Sequence, residues 1–256
     1  MYTYVCVLST NNYLEGVLVL NENLKRLNSK YPLLCIINET ITEESKNILT
    51  KFNIKYKQLN KINYDIENIK FSHWKNTFDK LNIFSLIEYE KIVYLDLDFL
   101  ILSNLDHLFG IDNFSMVSDC QDEKKYYCSA LMIIKPNLKD YNNLIEICMN
   151  NLKNQIADIG DQDIINEYFK DINVLDIKYN CIRGIQDEKL SVYDDIFNRY
   201  MEKRKMRYCY YSPTPVIIHY YGKTKPFMLN EYFEDEYCYL YFYYLNIIRK
   251  QKRELN

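Results

Sequence analysis

Asp96 and Asp98, separated by one residue, close the apolar run Ile92-Val93-Tyr94-Leu95. β-Branched and aromatic residues in such a run predict a buried strand. Strand side chains alternate between faces, so the spacing predicts two carboxylates on one face at the strand's C-terminal edge. In open α/β sheets that edge receives ligands. Two carboxylates held there repel each other unless a cation or a strong donor stands between them. Hard oxygen ligands of this kind suit Mg²⁺ or Mn²⁺, usually with substrate phosphates. The pair therefore predicts a site for a metal and a diphosphate.

Four other places carry residues able to do chemistry. Leu8-Ser9-Thr10-Asn11-Asn12-Tyr13 spans a predicted strand-to-helix junction. Such a junction can hold a base and phosphates through N–H groups, hydroxyls and a stacking ring, and the same residues also make an ordinary cap. Lys80 falls on a predicted helix before the acidic strand, where it either reaches a diphosphate as a point charge or lies solvated. Gly160-Asp161-Gln162-Asp163 opens a further helix. Asp161 there is either its N-cap or, with Asp158 and Gln162, part of a set of acceptors and an amide suited to sugar hydroxyls. Last comes His219-Tyr220-Tyr221-Gly222-Lys223-Thr224-Lys225-Pro226-Phe227, after the apolar strand candidate that begins at Val216. His219 at a strand end can complete a mixed nitrogen and oxygen metal set with Asp96 and Asp98. Gly222 permits close backbone approach, and Lys225 can meet a phosphate.

Alternating strands and helices must position these groups. Tyr2–Leu8 reads as a first strand, followed by helical spacing at Leu14, Val17, Leu18, Leu24 and Leu27. Leu33–Ile37 is a second strand. Thr40-Ile41-Thr42-Glu43 predicts a capping box for a helix to about Phe52. Residues 54–59 read as a third strand, and Trp74, Phe78, Leu81 and Phe84 as a helix leading into the acidic strand. Further strands are predicted at 114–117, 131–134 and 216–219, and helices at 142–152 and 163–169. Repeated β-α-β units predict a mainly parallel, twisted sheet flanked by helices. No internal repeat or flexible linker divides the chain, so 1–256 reads as one domain. It splits into a nucleotide-binding half to about 110, a sugar and acceptor half to about 230, and a C-terminal helix over 231–256. The aromatic and aliphatic stretch 237–248, followed by Arg249, Lys250, Lys252 and Arg253, reads either as a final packed helix or as a membrane-surface or homodimer-forming one.

Composition narrows the function classes. A 48% apolar content over 256 residues supports a sizeable core. The formal net charge of −3 argues against a nucleic-acid protein. Eight cysteines without C-x-x-C pairs predict isolated thiols in a reducing, cytoplasmic setting. No signal peptide and no spanning run of about 20 apolar residues are visible. Two alanines against 26 tyrosines, with abundant Asn, Ile and Lys, point to an AT-rich genome such as that of some large viruses or protists.

Taken in order, the motifs resemble glycosyltransferase family 8, and its glycogenin-like members most. The resemblance rests on Leu8, Thr10, Asn11 and Tyr13; on Lys80, sixteen residues before Asp96; and on the D-x-D pair with Asn104, Asp106 and Phe109 after it. It continues in Gly160, Asp161, Gln162 and Asn166, and in His219, Gly222, Lys225, Pro226 and Phe227. It implies an α/β GT-A (Rossmann-like) fold, a UDP-sugar donor, Mn²⁺ (or Mg²⁺) and retention at the anomeric carbon. By position, Asp96, Asp98 and His219 would hold the metal. Leu8, Thr10, Asn11 and Tyr13 would hold uridine, with Tyr13 against the uracil. Lys80, Gly222 and Lys225 would face the diphosphate, with Leu97 and Ser129 in the same donor-binding set. Asp158, Asp161 and Gln162 would lie by the donor sugar. The implied reaction is transfer of a hexose, glucose first, to a protein or glycan hydroxyl. UDP-galactose or UDP-N-acetylglucosamine is the alternative donor, and an inactive UDP-sugar-binding scaffold the alternative class. The family's Asn-Ser-Gly appears here as Cys128-Ser129-Ala130, and its Trp as Phe227. The chain ends soon after this last motif, without a tail of the kind that would recruit glycogen synthase. Tyr193 and Tyr200 are candidates for self-glucosylation.

Overall fold

Strands β1 (Tyr2–Leu8) and β2 (Leu33–Ile37) run parallel, Tyr4 opposite Leu33 and Leu8 opposite Ile37. Helix α1 (Leu14–Arg26) crosses between them, burying Leu14, Val17, Leu18 and Leu24 at helical spacing. A computed structural model of the protein describes residues 1–62, 72–119, 126–154, 159–183, 212, 214–222, 225–229 and 236–254. Helix α2 (Glu43–Lys51) leads to β3 (Lys55–Gln58), parallel to β2. A 3₁₀ stretch, Ser72–Ser85, precedes β4 (Lys91–Leu95), which pairs in parallel with β1. The chain then forms β5 (Phe99–Ile101), β6 (Ser115–Ser118), β7 (Tyr127–Ile134), α3 (Leu138–Lys153), α4 (Asp161–Tyr168), β8 (Asn173–Leu175), β9 (Cys181–Arg183), β10 (Ile217–Tyr220) and α5 (Glu236–Glu254).

The main sheet has the order β3-β2-β1-β4-β7-β6-β8. Its pairings are parallel except at β7, which is antiparallel to both neighbours, β4 and β6. Alternation along the strands sorts side chains into two cores. Tyr4, Cys6 and Leu8 pack with α1 and α5, while Val5 packs on the other face with Phe78, Leu81, Phe84 and the helices α3 and α4. A second sheet, β5-β10-β9, is antiparallel between β5 and β10 and sets His219 opposite Phe99. That register brings a residue from the end of the chain beside the D-x-D segment.

Several expectations are corrected in detail. β4 stops at Leu95, and Asp98 lies in the turn to β5 instead of on the strand. The cap of α2 is Thr42, whose hydroxyl accepts from the Ser45 N–H at 3.3 Å, instead of Thr40. Gly160 caps α4, and the Asp163 carboxylate accepts the Gly160 N–H at 2.8 Å, which leaves the Asp161 side chain free to point elsewhere. The stretch before β4 is 3₁₀ helix, and β7 begins at Tyr127 because residues 127–130 are buried and Tyr127 and Cys128 pair with Ser118 and Val117 of β6.

Asp106 has a structural explanation. Its carboxylate accepts from Tyr4 Oη at 2.9 Å, from the Lys30 N–H at 3.0 Å and from Asn104 Nδ2 at 3.2 Å, and Asn104 Nδ2 also donates to Leu27 O at 2.9 Å. The two residues tie the segment after the D-x-D turn to the loop between α1 and β2. Asp106→Ala is expected to cost about 2 kcal/mol in urea unfolding, because it orphans the buried end of Tyr4. Metal affinity should stay at the wild-type value, and a large loss of it would refute a purely structural role.

Candidate active site

Asp96, Asp98 and His219 offer three ligand atoms that all lie within 4.8 Å of one another. They come from the end of β4, the turn after it and β10. The Tyr220 N–H donates to Asp98 O at 3.0 Å and the Asp96 N–H to Ala130 O at 2.9 Å, so both carboxylates stand on hydrogen-bonded backbone. His219 Nδ1 lies 2.8 Å from Asn180 Oδ1, an acceptor that fixes the ring proton there and turns Nε2 toward Asp98 Oδ1, 3.5 Å away. Asp98 Oδ1 is buried and, among the described residues, has no hydrogen-bond partner. A buried carboxylate oxygen left open toward an imidazole nitrogen and a second carboxylate is what a divalent-cation site requires.

Cations of the protein itself hold these acids. Lys225 Nζ donates to Asp98 Oδ2 at 2.5 Å and to Tyr220 O at 2.9 Å. Lys80 Nζ lies 2.7 Å from Asp161 Oδ2 and 3.2 Å from Asp96 Oδ1, and it donates to Ser129 Oγ at 3.2 Å. The Tyr94 hydroxyl donates to Asp96 Oδ1 at 2.5 Å. The two aspartates consequently titrate in opposite directions. Burial pushes the Asp96 carboxyl up, opposed by Lys80 and reinforced by Asp98. Burial works the same way on Asp98 but is overcome by Lys225 and His219, which hold it well below the usual carboxylate range. For His219, burial disfavours the imidazolium, yet Asp98 outweighs it and lifts the pKa to about 10.

Around this centre, α4 aims its first turn at β7. Ser129 Oγ donates to Asp161 Oδ2 at 2.8 Å, and the Ser129 N–H donates to Gln162 Oε1 at 3.1 Å. Gln162 Nε2 donates to Asp119 Oδ2 at 2.9 Å. Asn166 exchanges hydrogen bonds with the Tyr127 backbone at 2.9 and 2.8 Å, pinning α4 to the start of β7. On the opposite flank, the Tyr13 ring meets Phe227 edge-on with centroids 5.2 Å apart.

Residues 4–230 match the model of glycosyl transferase family 8. The chain belongs to that family. Among curated proteins it is 29% identical over 207 residues to galactinol synthase 2 of Arabidopsis thaliana, covering 66% of this chain and 61% of that one. It is 26% identical over 227 residues to human glycogenin-2, covering 86% and 42%. An uncharacterised protein of Acanthamoeba polyphaga mimivirus is 38% identical over 116 residues, 43% of this chain and 40% of that one. The chain thus spans about 60% of the length of the galactinol synthases it matches. An active-site mutant of LgtC superposes with a TM-score of 0.72 at 14% identity, covering 96% and 95% of the two chains. GlyE of Streptococcus pneumoniae TIGR4 superposes at 0.65 and 19%, covering 98% and 63%. The observed architecture is the GT-A fold expected from the sequence.

Within this family 8 member, the residues of the loop after β1 are placed unequally. The Leu8 side chain is fully buried, so only its backbone can face a ligand. The Asn11 carboxamide oxygen accepts from Ser45 Oγ at 2.8 Å and the Thr42 N–H at 3.1 Å, which ties the loop to the start of α2. Thr10 has extended backbone and no side-chain cap bond. Gly222 takes φ +104, a conformation that L side chains resist. Asp158, Tyr193 and Tyr200 lie outside the described residues.

Sequence inspection passed over Asn180, Tyr94 and Gly16. Asn180 and Tyr94 become visible only through the ligands they hold. Gly16 is a helix-interior glycine in a chain with five glycines, and that scarcity was the available signal. A Cβ there would stand 2.7 Å from Leu97 O and 3.0 Å from the Phe227 ring. Helix α1 therefore packs directly on the peptide between the two aspartates.

Proposed function

We propose that this family 8 glycosyltransferase moves a hexose from a UDP-sugar to a protein or glycan hydroxyl with retention, using Mn²⁺ (or Mg²⁺) held by Asp96, Asp98 and His219. The observation that carries the proposal is the three-ligand cluster, in which buried Asp98 Oδ1 faces His219 Nε2 and has no hydrogen-bond partner among the described residues. A bound divalent ion supplies charge neutralisation for a diphosphate leaving group. Lys80 and Lys225 bring two further positive charges to the same place, each already resting on a site carboxylate. Charge developing on a departing UDP is then met without a proton donor. Tyr13, beside Phe227, offers its ring to the uracil, and Thr10 and the Leu8 and Asn11 backbone line the same loop. Asp161 and Gln162, buttressed by Lys80 and Ser129, face the sugar subsite, and the family resemblance assigns Asp158 to the same role.

Likeness to glycogenin-2 supports glucose as the sugar. A second reading, UDP-galactose, is favoured by the likeness to galactinol synthases, while Cys128 and Ala130 flanking Ser129 depart from the Asn and Gly of the glycogenin-like pattern. Buried thiols at Cys6, Cys35 and Cys148 support a cytoplasmic site of action. UDP release should be measured from UDP-glucose, UDP-galactose and UDP-N-acetylglucosamine, with and without Mn²⁺, for wild type and Asp98→Ala. One donor should turn over only with metal, and the variant should be inactive on it. Metal-independent turnover, or an active variant, would overturn the assignment.

A further inference from the structure

We propose that Arg249, on the C-terminal helix, is a positioning residue for the donor site: it holds the segment 225–229 so that Lys225 stays on Asp98. The inference rests on the reading of Lys225 as the group that faces the UDP diphosphate. Arg249 lies beyond residue 230, where the family match ends.

The geometry is specific. Arg249 Nη2 donates to Phe227 O at 3.2 Å, and Nη1 and Nη2 both reach Leu229 O at 3.4 Å. The same guanidinium donates through Nε and Nη2 to Glu15 Oε2 at 3.1 and 2.9 Å, and Lys252 stands 3.5 Å from Glu15 Oε1. A planar guanidinium makes all five of these contacts from donors spread in a fixed fork, whereas an ammonium has only three donors on a single atom. The held segment is one turn of 3₁₀ helix, Pro226–Met228, closed by Met228 N–H to Lys225 O at 2.9 Å and Leu229 N–H to Pro226 O at 3.2 Å. So short a turn does not keep its shape alone.

Arg249 in turn is placed by core packing. Cys238, Tyr241, Phe242, Leu245 and Ile248 are buried at helical spacing, with the Tyr241 ring 5.4 Å from that of Tyr220 on β10. The arginine follows directly on the last of them. On the far side of the segment, Phe227 packs on Tyr13 and against Gly16. The path from α5 to the site therefore runs from Arg249 through the Phe227 carbonyl to Lys225 and Asp98. At the basic end of α5, Arg249 and Lys252 are both paired with Glu15 on α1.

The test compares Arg249→Ala, Arg249→Lys, Glu15→Gln and Lys225→Ala. UDP affinity is read by calorimetry with Mn²⁺ present, and amide exchange is read at Met228 and Leu229. Arg249→Ala should weaken UDP binding about tenfold, in the range seen when an orienting residue is lost. Exchange at both amides should speed up while the β1 amides keep their wild-type rates. Arg249→Lys, which keeps charge and fold but not the fork, should behave like Arg249→Ala. Glu15→Gln, which keeps the carbonyl bonds, should stay within about threefold of wild type, allowing for context-dependent spread in such energies. Wild-type UDP affinity in Arg249→Ala alongside weakened binding in Lys225→Ala would overturn the proposal. Glu15→Gln matching Arg249→Ala in both readouts would do the same, reducing Arg249 to a helix–helix ion pair. If Lys225→Ala alone binds UDP normally, the role given to Lys225 fails, and unchanged exchange at Met228 and Leu229 in Arg249→Ala would show that the hold fails too.

Discussion

Asp98→Asn is expected to lower metal-dependent turnover at least about 100-fold, the loss seen when a single preorganised electrostatic contact is removed from an active site. The carboxylate is 8% exposed and faces two buried cations, His219 at 6% and Lys225 at 7%. Asparagine keeps the shape and one acceptor but removes the negative charge between them. Breaking a buried pair from one side costs about 3–5 kcal/mol, so the metal-free variant should also unfold at lower urea.

The pH dependence of that difference has a definite sign. The Asp98 carboxyl sits below its unfolded value near about 3.9, so its stabilisation is complete above that pH and is lost as pH falls. The His219 pKa is raised to about 10 from an unfolded value near about 6.5, so its share is complete below 6.5 and is lost as pH rises toward 10. The stability gap between wild type and Asp98→Asn should therefore be widest near about pH 5–6 and narrow on both sides. Urea midpoints for both metal-free proteins from pH 3 to 9 would check this. A gap that keeps widening toward pH 9 would contradict the pairing.

Gly16→Ala should damage the site from inside α1, a helix that carries none of the three candidate metal ligands. Its Cβ would stand 2.7 Å from Leu97 O, a backbone atom, and 3.3 Å from Leu97 Cβ. Neither α1 nor the D-x-D turn can yield by rotating a side chain, because the nearest atom is main chain. The methyl group must shift the Leu97 peptide, and Asp96 and Asp98 are attached to its two ends. Alanine gains up to about 1 kcal/mol of helix propensity, which offsets part of an overpacking cost of about 1–3 kcal/mol. The net stability change should be small. Metal affinity should fall about 10- to 100-fold, since ligand placement tolerates little displacement. Titration with Mn²⁺ alongside urea unfolding separates the two quantities. Unchanged metal affinity would show that the turn can move without cost to the site.

The chemistry-bearing residues were legible because their types are unusual for their places. Two carboxylates at the end of an apolar run, and a histidine before Gly222 and Lys225-Pro226, are costly to bury without a purpose. β1, β2 and α1 were equally legible, since local period and burial agree there. The cap of α2 was misplaced by two residues because Thr40 matches the capping-box pattern with Glu43 while Thr42, three residues before Ser45, does not, and only the fold commits the Asn38 side chain to Thr40, accepting its N–H at 2.9 Å. The short strands β5, β8 and β9 were illegible for a different reason. Three residues show no period, and their pairing energy comes from partners distant in the chain.

By itself, then, the sequence determined a mainly parallel α/β domain and the candidate ligands Asp96, Asp98 and His219, because hydrophobic period and side-chain chemistry are local properties. Tertiary structure alone decided how those ligands meet. The β5–β10 register sets His219 opposite Phe99, Asn180 orients its ring, and Lys225 and Lys80 divide the two aspartates between them. It also decided what holds that arrangement in place, namely Gly16 beneath the D-x-D turn and Arg249 behind Lys225. Close approach of backbones and bonds across 20 to 234 residues of chain are properties of the packed molecule, and no local pattern encodes them.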